Sequence, residues 1–311
     1  MTTMRDAFIK KVLEAMDRNE NIFFLSADFG APALDEVRAR HPDRFINVGI
    51  AEQNLINVAS GIGLEGITVF AYAIAPFITM RCYEQIRVNM AILSQLRGMN
   101  VNLIGVGAGF SYEVSGPTHH CLEDLSIMRT LPNFKVFSPC DHFTASALFD
   151  YCMSHPGPKY LRFDAKALPA LHAGIHQDDV QKGFVEVTQG GHTCLVATGY
   201  MVHRALEVHK KAAENHLPLG VVDVLAPKGF DGEALSRILR RYSHIMTLEE
   251  GFVGKGGLDA AIASLLFERN LTKNFTPIGL SDRYHFHLGT RDYLHGQEGL
   301  STEAILRQVA S

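Results

Sequence analysis

Short apolar runs alternate with amphipathic segments along the whole chain, the pattern that a parallel α/β sheet requires. From Asp6 to Asn19 the apolar positions Phe8, Val12, Leu13 and Met16 share one helical face. Residues 21–27 then read as a buried strand, and 45–48 and 67–73 as two more, with a helix over 53–64 between them. A helix is predicted over 83–96, and strands over 101–107, 135–139 and 160–163. Residues 165–181, with Pro169, Gly174 and non-periodic apolar positions, have the composition of a linker. A second α/β unit follows, with strands near 193–197, 219–224, 244–248 and 277–279. Helices near 202–215, 232–241, 257–269 and 301–309 alternate with them. The expected boundaries are 1–168 for the first domain, 169–184 for the linker and 185–311 for the second domain.

Composition agrees with two domains. At 311 residues, 47% hydrophobic and 20% charged, the chain can give each of two units of about 150 residues its own core. A net charge of −4, a pI near 6.4 and the lack of any Lys/Arg-rich run argue against a nucleic-acid partner. The first residues, Met1 to Ala7, carry no apolar signal core, and no apolar run approaches membrane-spanning length. A cytoplasmic protein with no membrane partner is expected. Cys82, Cys121, Cys140, Cys152 and Cys194 are odd in number and scattered, without Cys-x-x-Cys spacing. They read as reduced, buried thiols, and no metal ligand is assigned.

Two motifs carry the chemistry. Phe45-Ile-Asn-Val-Gly-Ile-Ala-Glu-Gln-Asn54 places a Glu among apolar residues where a strand becomes a helix. About seventy residues later, Gly116-Pro-Thr-His-His120 forms a turn presenting two imidazoles. Together they resemble the pyrimidine-binding domain of the transketolase family, which includes deoxyxylulose-phosphate synthases and, more distantly, the beta chains of 2-oxo acid dehydrogenases. In the second unit, Leu248-Glu-Glu-Gly-Phe-Val-Gly-Lys-Gly-Gly257 is similar to the family's C-terminal domain, which contributes to assembly, so no catalytic residue is assigned there. The resemblance implies an α/β fold of two doubly wound domains. It also implies thiamine diphosphate and Mg²⁺ as cofactors. The family marks its diphosphate-binding domain with Gly-Asp-Gly followed about 25–30 residues later by Asn, and this chain lacks that pair; Asp231-Gly232 has no partner Asn at that spacing. The diphosphate and metal ligands are therefore expected on a partner, the N-terminal-half subunit of a split transketolase, in an α2β2 assembly.

The resemblance assigns roles residue by residue. Glu52 matches the carboxyl group that hydrogen-bonds the cofactor's aminopyrimidine, and its apolar neighbours Ile50, Ala51 and Leu55 are of the kind that raise a carboxyl pKa. The alternative is a Glu complementing a helix N-terminus. Tyr72 and Phe77, ahead of Arg81-Cys-Tyr-Glu-Gln-Ile86, are both candidates to stack on the pyrimidine ring, or else fill the core. His119 matches the family's substrate histidine, a donor to the ketose oxygen; His120 reaches substrate or bonds locally. Arg162, at the end of a strand, is a candidate to hold a sugar phosphate, or else a surface ion pair. Asp28 resembles the Asp near the cofactor at the subunit contact, or is a turn former.

Two departures bear on substrate. Ser115 stands before Gly116 where transketolases carry the Asp that contacts the donor ketose, and Gly30-Ala-Pro32 replaces a phosphate-gripping Ser. The expected reaction is transfer of a two-carbon ketol unit from a ketose or ketose phosphate to an aldose. Alternatives are a beta-type subunit of another thiamine enzyme, either deoxyxylulose-phosphate synthase-like or 2-oxo acid dehydrogenase, or a non-catalytic assembly subunit.

Overall fold

A computed structural model describes residues 2–310; Met1 and Ser311 lie outside the described residues. The first unit is built on six parallel strands, β1 (Ile22–Ser26), β2 (Phe45–Asn47), β3 (Thr68–Ile74), β4 (Asn100–Val106), β5 (Lys135–Phe137) and β6 (Lys159–Phe163), in the order β2-β1-β3-β4-β6-β5. Their near-continuous apolar composition follows from burial on both faces. On one face α1 (Met4–Met16) and the helix His142–Ser154 pack Phe8, Val12 and Phe149 against Phe24, Phe70 and Tyr72. On the other, α3 (Glu52–Leu64) and the helical stretch that begins at Phe77 pack Leu55, Ile56, Ile78 and Ile86 against Leu25, Ala71 and Leu103. Helix α2 (Pro32–Arg40), not predicted from the pattern, begins on a proline at its first turn.

The second sheet runs β11-β10-β8-β9-β7, with β7 (Val185–Thr188), β8 (Thr193–Ala197), β9 (Gly220–Asp223), β10 (His244–Phe252) and β11 (Asn274–Leu280). All its pairings are parallel except the edge strand β7, which runs antiparallel to β9. Both sheets carry helices on their two faces, as expected for doubly wound domains. No helix among the described residues is long and apolar enough to cross a membrane.

The expected linker is more structured than its composition suggests. It contains the helix Gln177–Lys182, ended by Gly183 in the left-handed region. It is also pinned on both sides. Asp141 accepts the backbone N–H groups of Leu171 and His172 (2.7 and 2.8 Å), and the His172 imidazole meets the buried Asp223 carboxylate at 2.9 Å. Cys140 lies against the same carboxylate, its thiol pushed well up by burial. With His172 already engaged by Asp223, this cluster reads as an interdomain latch.

Candidate active site

In an open parallel sheet, ligands sit off the carboxyl ends of the strands, where the strand order reverses. Here the order reverses between β1 and β3, and the segments leaving β1, β2, β3 and β4 converge at that edge. Gly49, with φ +75°, lets the chain turn from β2 into α3. Asn47 braces this turn. Its side chain accepts from the N–H groups of Gly49 (2.9 Å) and Asp28 (3.1 Å) and donates to the Asp28 carboxylate (2.9 Å). Asp28 itself is exposed, in the left-handed region.

Helix α3 opens on Glu52, whose side chain is only 4% exposed. The partial positive charge of a helix N-terminus favours a carboxylate there. The setting is less apolar than the sequence suggests: Ile50 is 78% exposed, and the Arg81 guanidinium donates to Glu52 at 2.7 Å. That guanidinium also lies over the Phe77 ring, 4.5 Å from its centroid. Phe77 in turn meets the His119 imidazole edge-on, at 5.3 Å and 69°. The loop after β4 holds His119 by backbone bonds within Gly116–His120, and its Nδ1 lies 3.0 Å from the Thr118 hydroxyl. Glu52, Arg81, Phe77 and His119 thus form one continuous chain of contacts.

Beside them is an open cleft of about 470 Å³, lined by Phe77, Met80, Arg81, Pro117, Tyr284 and Phe286. A cleft of similar volume between Gly66, Gly98, Asn100 and Pro156 lies at the opposite, amino end of the strands, away from these groups. The site belongs to the first cleft, where the ionisable and aromatic side chains converge.

Residues 1–170 match the family described as transketolase, pyrimidine binding domain, and residues 183–305 match transketolase, C-terminal domain. The chain is 31% identical over 306 residues to a 6-deoxy-6-sulfo-D-fructose transketolase subunit of Clostridium sp. (strain MSTE9), covering 98% of this chain and 92% of that one. It is 31% identical over 268 residues to an apulose-4-phosphate transketolase subunit of Actinobacillus succinogenes, covering 85% and 83%. Among solved structures it resembles a split gene transketolase described as an inactive beta4 tetramer, with TM-score 0.87, 30% identity and coverage of 100% and 98%.

The chain belongs to the transketolase family. It matches, nearly end to end, subunits of split transketolases, and thiamine diphosphate dependence comes with that membership. The residues present fit the cofactor's ring. A planar group that donates N–H to Glu52 while lying over Phe77 already occupies the site, in the form of the Arg81 guanidinium.

Family membership makes the misplaced expectations informative. Tyr72 is not part of the ring site. It is fully buried in the middle of β3, its ring stacked on Phe29 (5.2 Å, 13°) on the face packed by α1, whereas Glu52 belongs to the opposite face. Alternation along the strand decides this. Arg162 is not free to hold a phosphate either. It is 3% exposed, donates from Nε to the fully buried Asp124 (2.8 Å) and from Nη2 to the Cys121 carbonyl (3.0 Å), while Tyr160 donates to the same carboxylate (2.7 Å). The arginine braces the base of the histidine loop. His120 turns inward, 2% exposed and edge-on to Phe110 (4.9 Å, 86°), and burial lowers its pKa. Ser115 is exposed and His119 half-buried on the outer side of this loop, alongside exposed Val114 and Thr118.

Three participants lie outside the sequence reading. Arg81 sat in a recognised pattern but had no obvious partner, because Glu52 lies 29 residues earlier. Tyr284 and Phe286 reach the cleft from the second domain, to which no site role was assigned. The only signal was two exposed aromatics alternating with histidines in Tyr284-His-Phe-His287.

Proposed function

We propose that this chain is the ring-gripping half of a split transketolase, moving a two-carbon ketol unit from a ketose or ketose phosphate to an aldose once paired with a partner. The partner supplies the diphosphate-binding domain and the Mg²⁺ ligands, in an α2β2 assembly. The observation that carries this reading is a buried carboxylate at a helix N-terminus facing an aromatic ring and an imidazole beside one open cleft.

Bound thiamine diphosphate supplies the carbon that takes up the ketol unit and hands it on. Glu52 hydrogen-bonds the ring nitrogen of the aminopyrimidine and exchanges a proton there. Phe77 offers a flat apolar face to the ring. His119, half-buried and outward-facing, donates to an oxygen of the ketose. Asp28 lies on the exposed turn that meets the partner, and Ser115 contacts the donor's hydroxyls with a neutral group in place of a carboxylate. The relatives named for 6-deoxy-6-sulfo-D-fructose and apulose 4-phosphate support a donor with an anionic tail. With Arg162 enclosed, that charge is met elsewhere than at β6. The relative described as an inactive beta4 tetramer supports self-association when the partner is missing.

The test is to combine the chain with the separately encoded Gly-Asp-Gly chain and assay ketol transfer from phosphorylated, sulfonated and free ketoses. Activity that needs both chains, thiamine diphosphate and Mg²⁺ supports the proposal. Turnover by this chain alone overturns it.

A further inference from the structure

We infer that Arg81 is a built-in stand-in for the cofactor ring: its guanidinium fills the space between Glu52 and Phe77 in the unloaded chain and swings out when the ring enters. The inference rests on the thiamine reading above and goes beyond it by giving Arg81 a role.

The geometry makes the two occupants exclusive. One guanidinium both donates to Glu52 at 2.7 Å and lies over Phe77 at 4.5 Å, so the Phe77 face that looks toward Glu52 is the one it covers. His119 meets the same ring at a steep angle (5.3 Å, 69°). A flat heterocycle that bonds Glu52 and stacks on Phe77 needs that same face. The local helix explains how Arg81 gets there. Phe77–Arg81 is a π-helical turn, a form that occurs mostly as short bulges and often at functional sites. Helical side chains lean toward the N-terminus, which lays Arg81 back over Phe77 one turn earlier.

The arrangement is also easy to undo. The Arg81 side chain is 45% exposed, so its charge can move into water nearby, and a half-exposed ion pair holds only weakly. Glu52, at 4% exposure, has no such exit and needs a partner in either state. Arg81 therefore keeps the buried carboxylate paired in the unloaded chain, at the cost of competing with the ring.

The experiment measures thiamine diphosphate affinity calorimetrically, with Mg²⁺, for the chain joined to its partner. Wild type is compared with Arg81→Met, which fills the volume but cannot pair, and Arg81→Lys, which can pair but lacks the planar guanidinium. If Arg81 competes with the ring, Arg81→Met should tighten binding by about three- to fivefold, with Arg81→Lys in between. In a Glu52→Gln background the effect of Arg81→Met should disappear, because a neutral amide does not hold the guanidinium. Binding that is unchanged or weaker in Arg81→Met overturns the inference while leaving the thiamine reading intact. A wild-type pair that binds no thiamine diphosphate overturns both.

Discussion

A glutamate at the first position of a helix is ordinarily a complement to the macrodipole; Glu52 differs in being buried and in facing a cation and an aromatic ring. Glu52→Gln keeps the size and one hydrogen bond but removes the exchangeable proton. In the assembled enzyme, turnover at saturating cofactor should fall by about 10² or more, with a smaller change in cofactor affinity. Wild-type turnover would refute the role. A second comparison separates the two aromatic candidates. Phe77→Ala should weaken thiamine diphosphate binding by roughly tenfold, since stacking contributes about 1 kcal/mol beyond the lost apolar contact. Tyr72→Leu, which removes the ring within the core, should leave the affinity of the folded protein unchanged; the reverse result would return Tyr72 to the site. At this scale the motifs singled out Glu52 and His119 from their immediate neighbours, and the structure places both beside Arg81 and Phe77. For Tyr72 and Arg162 the sequence left two readings open, core or ring site and ion pair or phosphate, for one reason: the strand face of Tyr72 and the Asp124 counter-ion of Arg162, 38 residues away, are tertiary facts.

The strands were legible where burial on both faces left continuous apolar runs, and β1, β3, β4, β6 and β8 lie within a residue or so of expectation. Half-buried β7 escaped because Val185-Glu-Val-Thr188 has no apolar run, as suits an antiparallel edge. The helix expected over 83–96 exists only in pieces, interrupted by a second π-helical segment, Ile86–Ile92, whose register no 3.6-residue pattern displays. Element ends also carry a pH dependence. Glu249, late in β10, is enclosed by Gly251 and Gly257 and accepts from the Leu258 N–H at the start of the next helix. Burial pushes its pKa up to about 7. A carboxyl whose folded pKa lies above its unfolded value favours the fold at low pH, and that contribution fades as pH rises from the ordinary carboxyl range to about 7. The stability of Glu249→Gln relative to wild type should therefore rise between about pH 4.5 and 7 and level off above. Denaturant unfolding of both proteins across that range checks it, and a difference that is flat with pH would show Glu249 ionised throughout.

The two domains are joined by charge as well as by apolar packing. Arg291, at the start of the helix Arg291–Gln297, reaches Glu250 of β10 (2.7 and 2.5 Å) and Asp164 at the end of β6 (2.6 Å), over the face of Tyr200. Removing one partner of such a buried group leaves charges uncompensated, at about 3–5 kcal/mol. Arg291→Met should lower unfolding stability by that order, and a loss below about 1 kcal/mol would mean that this charge cluster does not hold the domains together. Gly109, left-handed at φ +56°, keeps the histidine loop close against Glu250, so the same carboxylate ties the site loop to the second domain. The surface around the site is apolar where water should otherwise meet it. Ile50 is 78% exposed beside Glu52, Val114 68% beside Ser115, and Phe286 77% across the cleft. Apolar side chains around a polar site mark a surface that a partner covers. We expect mixing with the diphosphate-binding chain to give a complex with the mass of two copies of each, and Ile50→Asp to shift it toward separate chains by placing a charge in the seam. Light scattering on both mixtures decides the matter. A wild-type complex indifferent to Ile50→Asp would move the interface away from the cleft, and the shared active site with it.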